Sequence, residues 1–204
     1  MIKIFGSNTS PFTRKVRIVA LEKKIEFSFI NFGADTNKYY LEGLNPLGKI
    51  PVLQKDDDLV FDSPVIAKYL DGLSPAKNLT STQNKHDKII LRKWEALTDG
   101  ILDIAINSVV YERRRQADKI DENKINSALT DVTASLELAS SQLGNNQYCV
   151  GQNLTIADIS LLCLLDWLKF RLPDILWQKQ FPNFQQHHHK MYELISVQQT
   201  SPFD

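Results

Sequence analysis

The chain lacks most of what would announce a specialised partner. Its 24 Lys and Arg balance 24 Asp and Glu, so the formal net charge is zero. Neither a nucleic-acid clamp nor a polybasic membrane surface is expected, because both need an excess of cations on one face. No apolar stretch approaches the roughly 18 residues needed to span a bilayer. The N-terminal MIKIFGSNTSPF has no apolar run behind a basic stretch and does not read as a secretory signal. Two cysteines, Cys149 and Cys163, form neither a CxxC nor a zinc pattern and cannot build a disulfide framework. A reducing cytoplasm suits them. No internal repeat is visible, and the biased tract that stands out is His187-His188-His189. What is present is ordinary: 204 residues, 43% hydrophobic and 24% charged. That is a globular composition, long enough to bury a core unaided as one domain or two small ones.

The first seventy residues change period repeatedly. MIKIF reads as a buried strand ending at Gly6, and Ser10-Pro11 opens a mostly buried helix to about Lys24. Glu26 to Asn31 reads as a strand and Thr36 to Leu44 as a weak helix. Pro51-Val52-Leu53 and Leu59-Val60-Phe61 flank Asp56-Asp57-Asp58 as a hairpin, and Ser63-Pro64 starts another helix. The order, βαβ followed by ββα, predicts a small mixed sheet flanked by helices over residues 1–75. Leu73 to Gln83 is rich in Ser, Thr, Pro and Asn and reads as a linker. From 84 to 204 the pattern is helical: Lys85 to about Gln116, Glu122 to Leu143, Thr155 to Leu168, and Pro182 to Val197. An α/β unit joined to an all-α helical bundle is the expected architecture.

Three segments have the residue types that chemistry needs. In Thr9-Ser10-Pro11-Phe12-Thr13, a hydroxyl residue stands before Pro at a helix start. Such a turn caps the helix. It also aims Ser10 and free N–H groups at a spot that favours an anion such as a thiolate. In Asn45-Pro46-Leu47-Gly48-Lys49-Ile50-Pro51-Val52-Leu53, Pro51 stands at the start of a strand, where it removes a ladder donor. A cis Ile50–Pro51 bond would leave the Ile50 backbone free to pair with an extended peptide, whereas a trans bond would make Pro51 an ordinary edge residue. In Phe61-Asp62-Ser63-Pro64, Ser63 and the N–H groups behind it suit a carboxylate, and Asp62 suits an ammonium. The alternative for that segment is a capping serine beside a solvated acid.

Taken together, these segments resemble the thioredoxin-like half of cytosolic glutathione transferases. Gly151-Gln152-Asn153-Leu154-Thr155-Ile156-Ala157-Asp158 is similar to that family's helical capping box, formed here by Thr155 and Asp158. The resemblance covers about residues 1–200. It implies a thioredoxin-like N-terminal domain, residues 1–75, and an all-helical domain, residues 84–204, that contributes the electrophile site. It also implies a cis-proline at Pro51 and a glutathione site made of Thr9, Ser10, Lys49, Ile50, Pro51, Asp62 and Ser63. Ser10 stands at the position of the activating hydroxyl in serine-type members, with Thr9 in reserve. No tyrosine precedes Tyr39, so the tyrosine-type mechanism is excluded. Ser10 and Thr13 stand where thioredoxins have cysteines, which argues against a cysteine-dependent reductase, and the zeta-class SSCxW motif is absent. Asp62 replaces the family's usual Glu.

Other features have plainer readings. Three consecutive histidines on a helix point about 100° apart and cannot converge on one ion; no metal is expected. Cys163, among leucines, reads as a core thiol. Arg113-Arg114-Arg115 reads as a solvated face, with one arginine left as a candidate for the cleft. Asp158 reads as structural. The function expected from the resemblance is a cytoplasmic, homodimeric transferase serving detoxification. It uses glutathione as cosubstrate for attack on a small hydrophobic electrophile or a hydroperoxide, without metal, nucleic acid or membrane. The alternative is a non-catalytic interaction module on the same fold.

Overall fold

A computed structural model describes residues 1–32 and 38–202. Residues 33–37, where the expected weak helix begins, and 203–204 lie outside the described residues. Four short strands, β1 (Ile2–Gly6), β2 (Phe27–Asn31), β3 (Val52–Lys55) and β4 (Asp58–Phe61), form one mixed sheet in the order β2-β1-β3-β4. β1 and β2 are parallel because helix α1 (Pro11–Glu22) crosses between them, and β3 and β4 form the expected hairpin around Asp56-Asp57. Helix α3 (Ser63–Leu73) packs beside α1. Near helix α2 (Lys38–Leu44), Phe5, Phe32 and Tyr40 form an aromatic triangle with ring centres 6.0 to 6.3 Å apart.

The register brings three chain segments to one end of this sheet. Val52 is opposite Phe5 on one side and Phe61 on the other, and Gly6 is opposite Asn31. The turn after Gly6, the Ile50-Pro51 peptide before β3 and the Asp62-Ser63 pair after β4 therefore emerge side by side.

The second unit is helical: α4 (Lys85–Ile104), α5 (Glu122–Leu143), α6 (Ile156–Arg171) and α8 (Pro182–Met191), with one-turn helices α7 (Trp177–Gln180) and α9 (Ile195–Gln198). The sheet-bearing unit is thus a thioredoxin-like domain and the rest a helical domain. α6 is its axis, buried on every side from Ile156 to Leu168, as a helix apolar all round must be. The expected helix from Lys85 to Gln116 is corrected. It changes at Ala105 to a π-helical segment through Val110, closed by the Tyr111 N–H donating to Ile106 O at 2.9 Å, and then to a 3₁₀ turn over Glu112–Arg114. The expected helix over Pro182–Val197 is likewise split by a bend at Tyr192–Leu194.

Two buried cations join the units. Arg14 in α1 pairs with Asp166 in α6 at 2.5 Å, and Lys15 pairs with Asp99 in α4 at 2.5 Å. Asp166 also accepts from His188 at 2.6 Å and from the Tyr192 hydroxyl at 2.7 Å. Burial alone would raise the Asp166 carboxyl, but the His188 hydrogen bond and the Arg14 charge hold it below its usual value. At the far end of α1, Lys23 reaches Asp71 at 2.8 Å and the carbonyls of Ala76 and Lys77, and the Ile156 N–H donates to Leu79 O at 2.8 Å.

Candidate functional site

The turn after β1 is built for close approach. A Cβ on Gly6 would lie 2.4 Å from the Thr13 side chain, so only glycine lets α1 begin this near the strand. Asn8 pins the turn, its N–H donating to Asn31 Oδ1 at 3.2 Å and its Oδ1 accepting from Arg17 at 2.9 Å. Ser10 is the N-cap of α1: its Oγ accepts from the Thr13 N–H at 3.2 Å. Capping uses an acceptor lone pair and leaves the Ser10 O–H free to donate. Ser10 and Thr9 are both partly exposed. Below them Thr13 Oγ1 is buried with no hydrogen-bond partner among the described residues.

Ile50–Pro51 is cis. The β3 ladder begins at Val52, so the Ile50 backbone lies outside it and is open to an extended ligand. Asn45 holds the approach: its Nδ2 donates to Lys49 O at 2.8 Å, and its Oδ1 accepts from the Leu47 N–H at 3.0 Å. Gly48 takes the left-handed conformation the turn requires, with φ 63°. The Lys49 side chain is exposed.

Asp62 has φ 73°, a conformation a non-glycine residue adopts at a cost. Its side chain makes no capping hydrogen bond and is exposed, while Ser63 is buried at the first position of α3. Asp62 lies close enough to Asp99 of α4 for their charges to interact. The Asp99 carboxyl is raised first by burial, an effect the Lys15 pair opposes and the charges of Asp62 and Asp103 reinforce. Asp62 thus places an exposed negative charge beside Ser63, within electrostatic reach of the Lys15–Asp99 pair.

The site therefore gathers a free hydroxyl proton at Ser10 and the positive end of α1, an Ile50 backbone that is unpaired among the described residues, and an acidic side chain at Asp62. Such an arrangement fits an extended peptide with an acidic sulfur at one end and an ammonium at the other. Sequence reasoning missed Asn45 and Asp99. Asn45 stands within a segment already singled out, but Asp99 carries no local signal because its partner Lys15 is 84 residues away.

Elsewhere, His187, Asp158 and Cys149 come together, with ligating atoms all within 4.8 Å. Asp158 Oδ1 accepts from the Cys149 N–H at 2.7 Å and pairs with His187 Nε2 at 3.0 Å, while Oδ2 accepts from the Thr155 N–H and hydroxyl at 2.8 Å each. Both oxygens are fully occupied, and burial pushes the Cys149 thiol well above its ordinary value. Cys149 and Asp158 both meet the same ring nitrogen of His187, so no relay through the imidazole exists. The cluster closes the start of α6, at the end of the molecule remote from Ser10. The Cys163 thiol, fully buried, is pushed up to about 12.

A thioredoxin-like domain with a cis-proline edge, followed by a helical domain closed by a capping box, defines a class recognisable by comparison. Residues 9–73 match the glutathione S-transferase N-terminal domain and residues 97–194 the C-terminal domain. The chain is 32% identical to the uncharacterized GST-like protein YibF of Escherichia coli K12, covering 98% of each. It is 36% identical to a glutathione S-transferase from Methylobacillus flagellatus, whose structure has GSH bound, with a TM-score of 0.94 over 99% of this chain and 100% of that one. Over 144 residues it is 28% identical to elongation factor 1-gamma 2 of Oryza sativa, spanning 34% of that protein. The chain belongs to the glutathione S-transferase family.

Proposed function

We propose that this protein is a glutathione transferase that ionises the glutathione thiol and delivers it to an electrophile or a hydroperoxide. The observation carrying this reading is the sheet register, which sets Ser10, the Ile50 backbone and the Asp62-Ser63 pair side by side. Support also comes from the 36% identical relative from Methylobacillus flagellatus, whose structure holds glutathione. Residues 1–75 form the glutathione-binding unit, and residues 84–204 supply the electrophile side. The cysteinyl backbone of glutathione pairs with Ile50, held by Pro51 and the Asn45 loop beside Lys49. The γ-glutamyl carboxylate takes Ser63 and the α3 N–H groups, and the ammonium takes Asp62, with Asp99 beyond it.

The sulfur lies at the start of α1, with Thr9 alongside. There the Ser10 O–H donates to the thiolate while the helix N-terminus favours its charge, so more of the thiol is ionised at neutral pH than the ordinary value near 8.5 allows. The thiolate then attacks the electrophilic atom and the leaving group departs with its electron pair. Proximity and thiolate stabilisation supply the rate. In this reading the chain works in the cytoplasm as a homodimer, meeting its copy through the exposed apolar residues Leu59, Phe61 and Val65. A sedimentation mass near twice the single-chain 23.3 kDa tests the dimer.

The deciding experiment is thermal denaturation with glutathione. A ligand at about 100 times its dissociation constant adds roughly 2.7 kcal/mol, which raises Tm by several degrees. The similarity to an elongation factor subunit favours a second reading, a non-catalytic interaction module. An unchanged Tm at millimolar glutathione would select it.

A further inference from the structure

The π-helical and 3₁₀ continuation of α4 and the end of α6 both run toward the Ser10 end of the molecule, and each carries an arginine, Arg114 and Arg171. α1 and α6 run antiparallel, since the Ile156 N–H meets Leu79 O, near the contacts of Lys23, while Arg14 meets Asp166. α4 starts from the same connecting segment and passes Lys15 at Asp99, so its tail also runs toward Ser10. Beyond Asp99 come Tyr111 and Arg114; beyond Asp166 come Phe170 and Arg171.

Of the arginine run, Arg115 is taken by the buried Glu112 at 2.7 Å, and Glu112 also holds Lys124 at 2.9 Å. Arg114 is left over, its guanidinium 5.9 Å above the half-exposed Tyr111 ring. Arg171 lies 4.2 Å above the Phe170 ring. Among the described residues neither guanidinium enters an ion pair. They also repel one another: Arg171 is held below the usual guanidinium value, first by partial burial and then by the charge of Arg114. Two cations without ion pairs among the described residues, each beside an aromatic ring and near enough for their charges to interact, are relieved by an anion entering between them.

We propose that Arg114 and Arg171 bind the carboxylate of the acceptor, so that the preferred electrophile is a flat organic acid whose ring rests against Tyr111. The proposal rests on the transferase reading for its chemistry and on the arginine pair for its specificity. With a chloronitrobenzoate, the glutathione sulfur forms a bond to the ring carbon and chloride leaves with the bonding pair. The thiol proton goes to solvent and the carboxylate is unchanged.

The test compares 4-chloro-3,5-dinitrobenzoate with its methyl ester, each rate divided by the uncatalysed one. The native protein should favour the acid about tenfold in kcat/KM. Arg114→Met and Arg171→Met should each remove most of that ratio, and the exposed Arg113→Met should leave it intact. A second arm titrates unreactive 3,5-dinitrobenzoate into protein saturated with S-methylglutathione. Binding should weaken with salt and by about tenfold in either of the two variants. Equal ratios and equal binding in all proteins overturn the proposal. So do variants that weaken glutathione itself while dinitrobenzoate binds as before. If neither chlorinated compound turns over while dinitrobenzoate binding still depends on both arginines, the transferase reading fails and the anion site stands.

Discussion

Helices α1, α4 and α6 lie side by side, and the polar groups at their two ends have been treated in opposite ways. At the end near the connecting segment, Asp71 accepts from the N–H groups of Leu79 and Thr80, from the Thr80 hydroxyl and from Lys23. Asp158 there accepts from Cys149, from Thr155 twice and pairs with His187. At the other end the Ser10 hydroxyl keeps its proton free, the Asp62 carboxylate does not cap α3, and among the described residues Arg114 and Arg171 enter no ion pair. Residue types do not separate the two ends, since the Cys-His-Asp group at the closed end is the more catalytic in appearance. The named carboxylates do separate them: Asp71 and Asp158 are saturated and Asp62 is not, although the closed end also holds His187 Nδ1, buried without a partner among the described residues. Saturated carboxylates stabilise the fold.

Substitutions can break this contrast. The largest effect is expected from Asp158→Ala, which strands the donors of Cys149, Thr155 and His187 in the core. Removing one member of a buried hydrogen-bonded pair costs about 3–5 kcal/mol, so Tm should fall by roughly 6–20 °C. Glutathione affinity of the protein that remains folded should be unchanged, and a weakened affinity would move Asp158 to the functional side.

Ser10→Ala should do the reverse. Losing a hydrogen bond to a thiolate, about 1.5–3 kcal/mol, should lower kcat roughly ten- to a hundredfold. Stability should fall by only about 1 kcal/mol for the lost N-cap. Full activity with an unchanged pH profile, coupled to loss in Thr9→Val, would transfer the role to Thr9. Next comes Asp62→Gly, which removes the proposed ammonium partner and relieves the positive φ. It should weaken glutathione binding by about tenfold, or about 1.4 kcal/mol, while raising stability by several tenths of a kcal/mol. Isothermal titration beside a melting curve separates the two signs.

The smallest effect concerns pH. Hydrogen bonds from Lys124 and Arg115 lower the Glu112 carboxyl from an ordinary 4.5 to about 2. Its stabilisation is therefore complete above about pH 4.5 and is lost as pH falls through 2. Glu112→Gln should show a flatter decline in Tm across that window, and a parallel decline would remove Glu112 from the acid response.

The strands, the hairpin and α5 were legible because period, turn chemistry and caps are local. The long-range partners were not. Arg14 and Lys15 look like exposed cations on an amphipathic helix, since Asp166 and Asp99 lie 152 and 84 residues further on. The convergence of His187 with Cys149 and Asp158 was hidden for the same reason. The cis state of Ile50–Pro51 followed from the family resemblance, because the segment by itself allowed either isomer. The halt of α4 at Ala105 escaped notice because the apolar stripe continues through Val109 and Val110, and a change of pitch leaves composition untouched.

That change of pitch has a mechanical consequence. Along an α-helix each residue advances the azimuth by about 100°, and a π turn fits one more residue into the same rise. The segment Ala105–Val110 acts as a phase shifter between the rigid part of α4, locked to Lys15 through Asp99, and the tail carrying Tyr111 and Arg114. Rewinding the same residues as ordinary α-helix, with none removed, would rotate that tail by about 100°, carrying Arg114 away from Arg171 while Ser10 and Asp62 stayed in place, whereas deleting the one extra residue would leave the bearing of the tail as it is. The winding of six residues thus sets the bearing of Arg114 separately from the turns that carry Ser10 and Asp62.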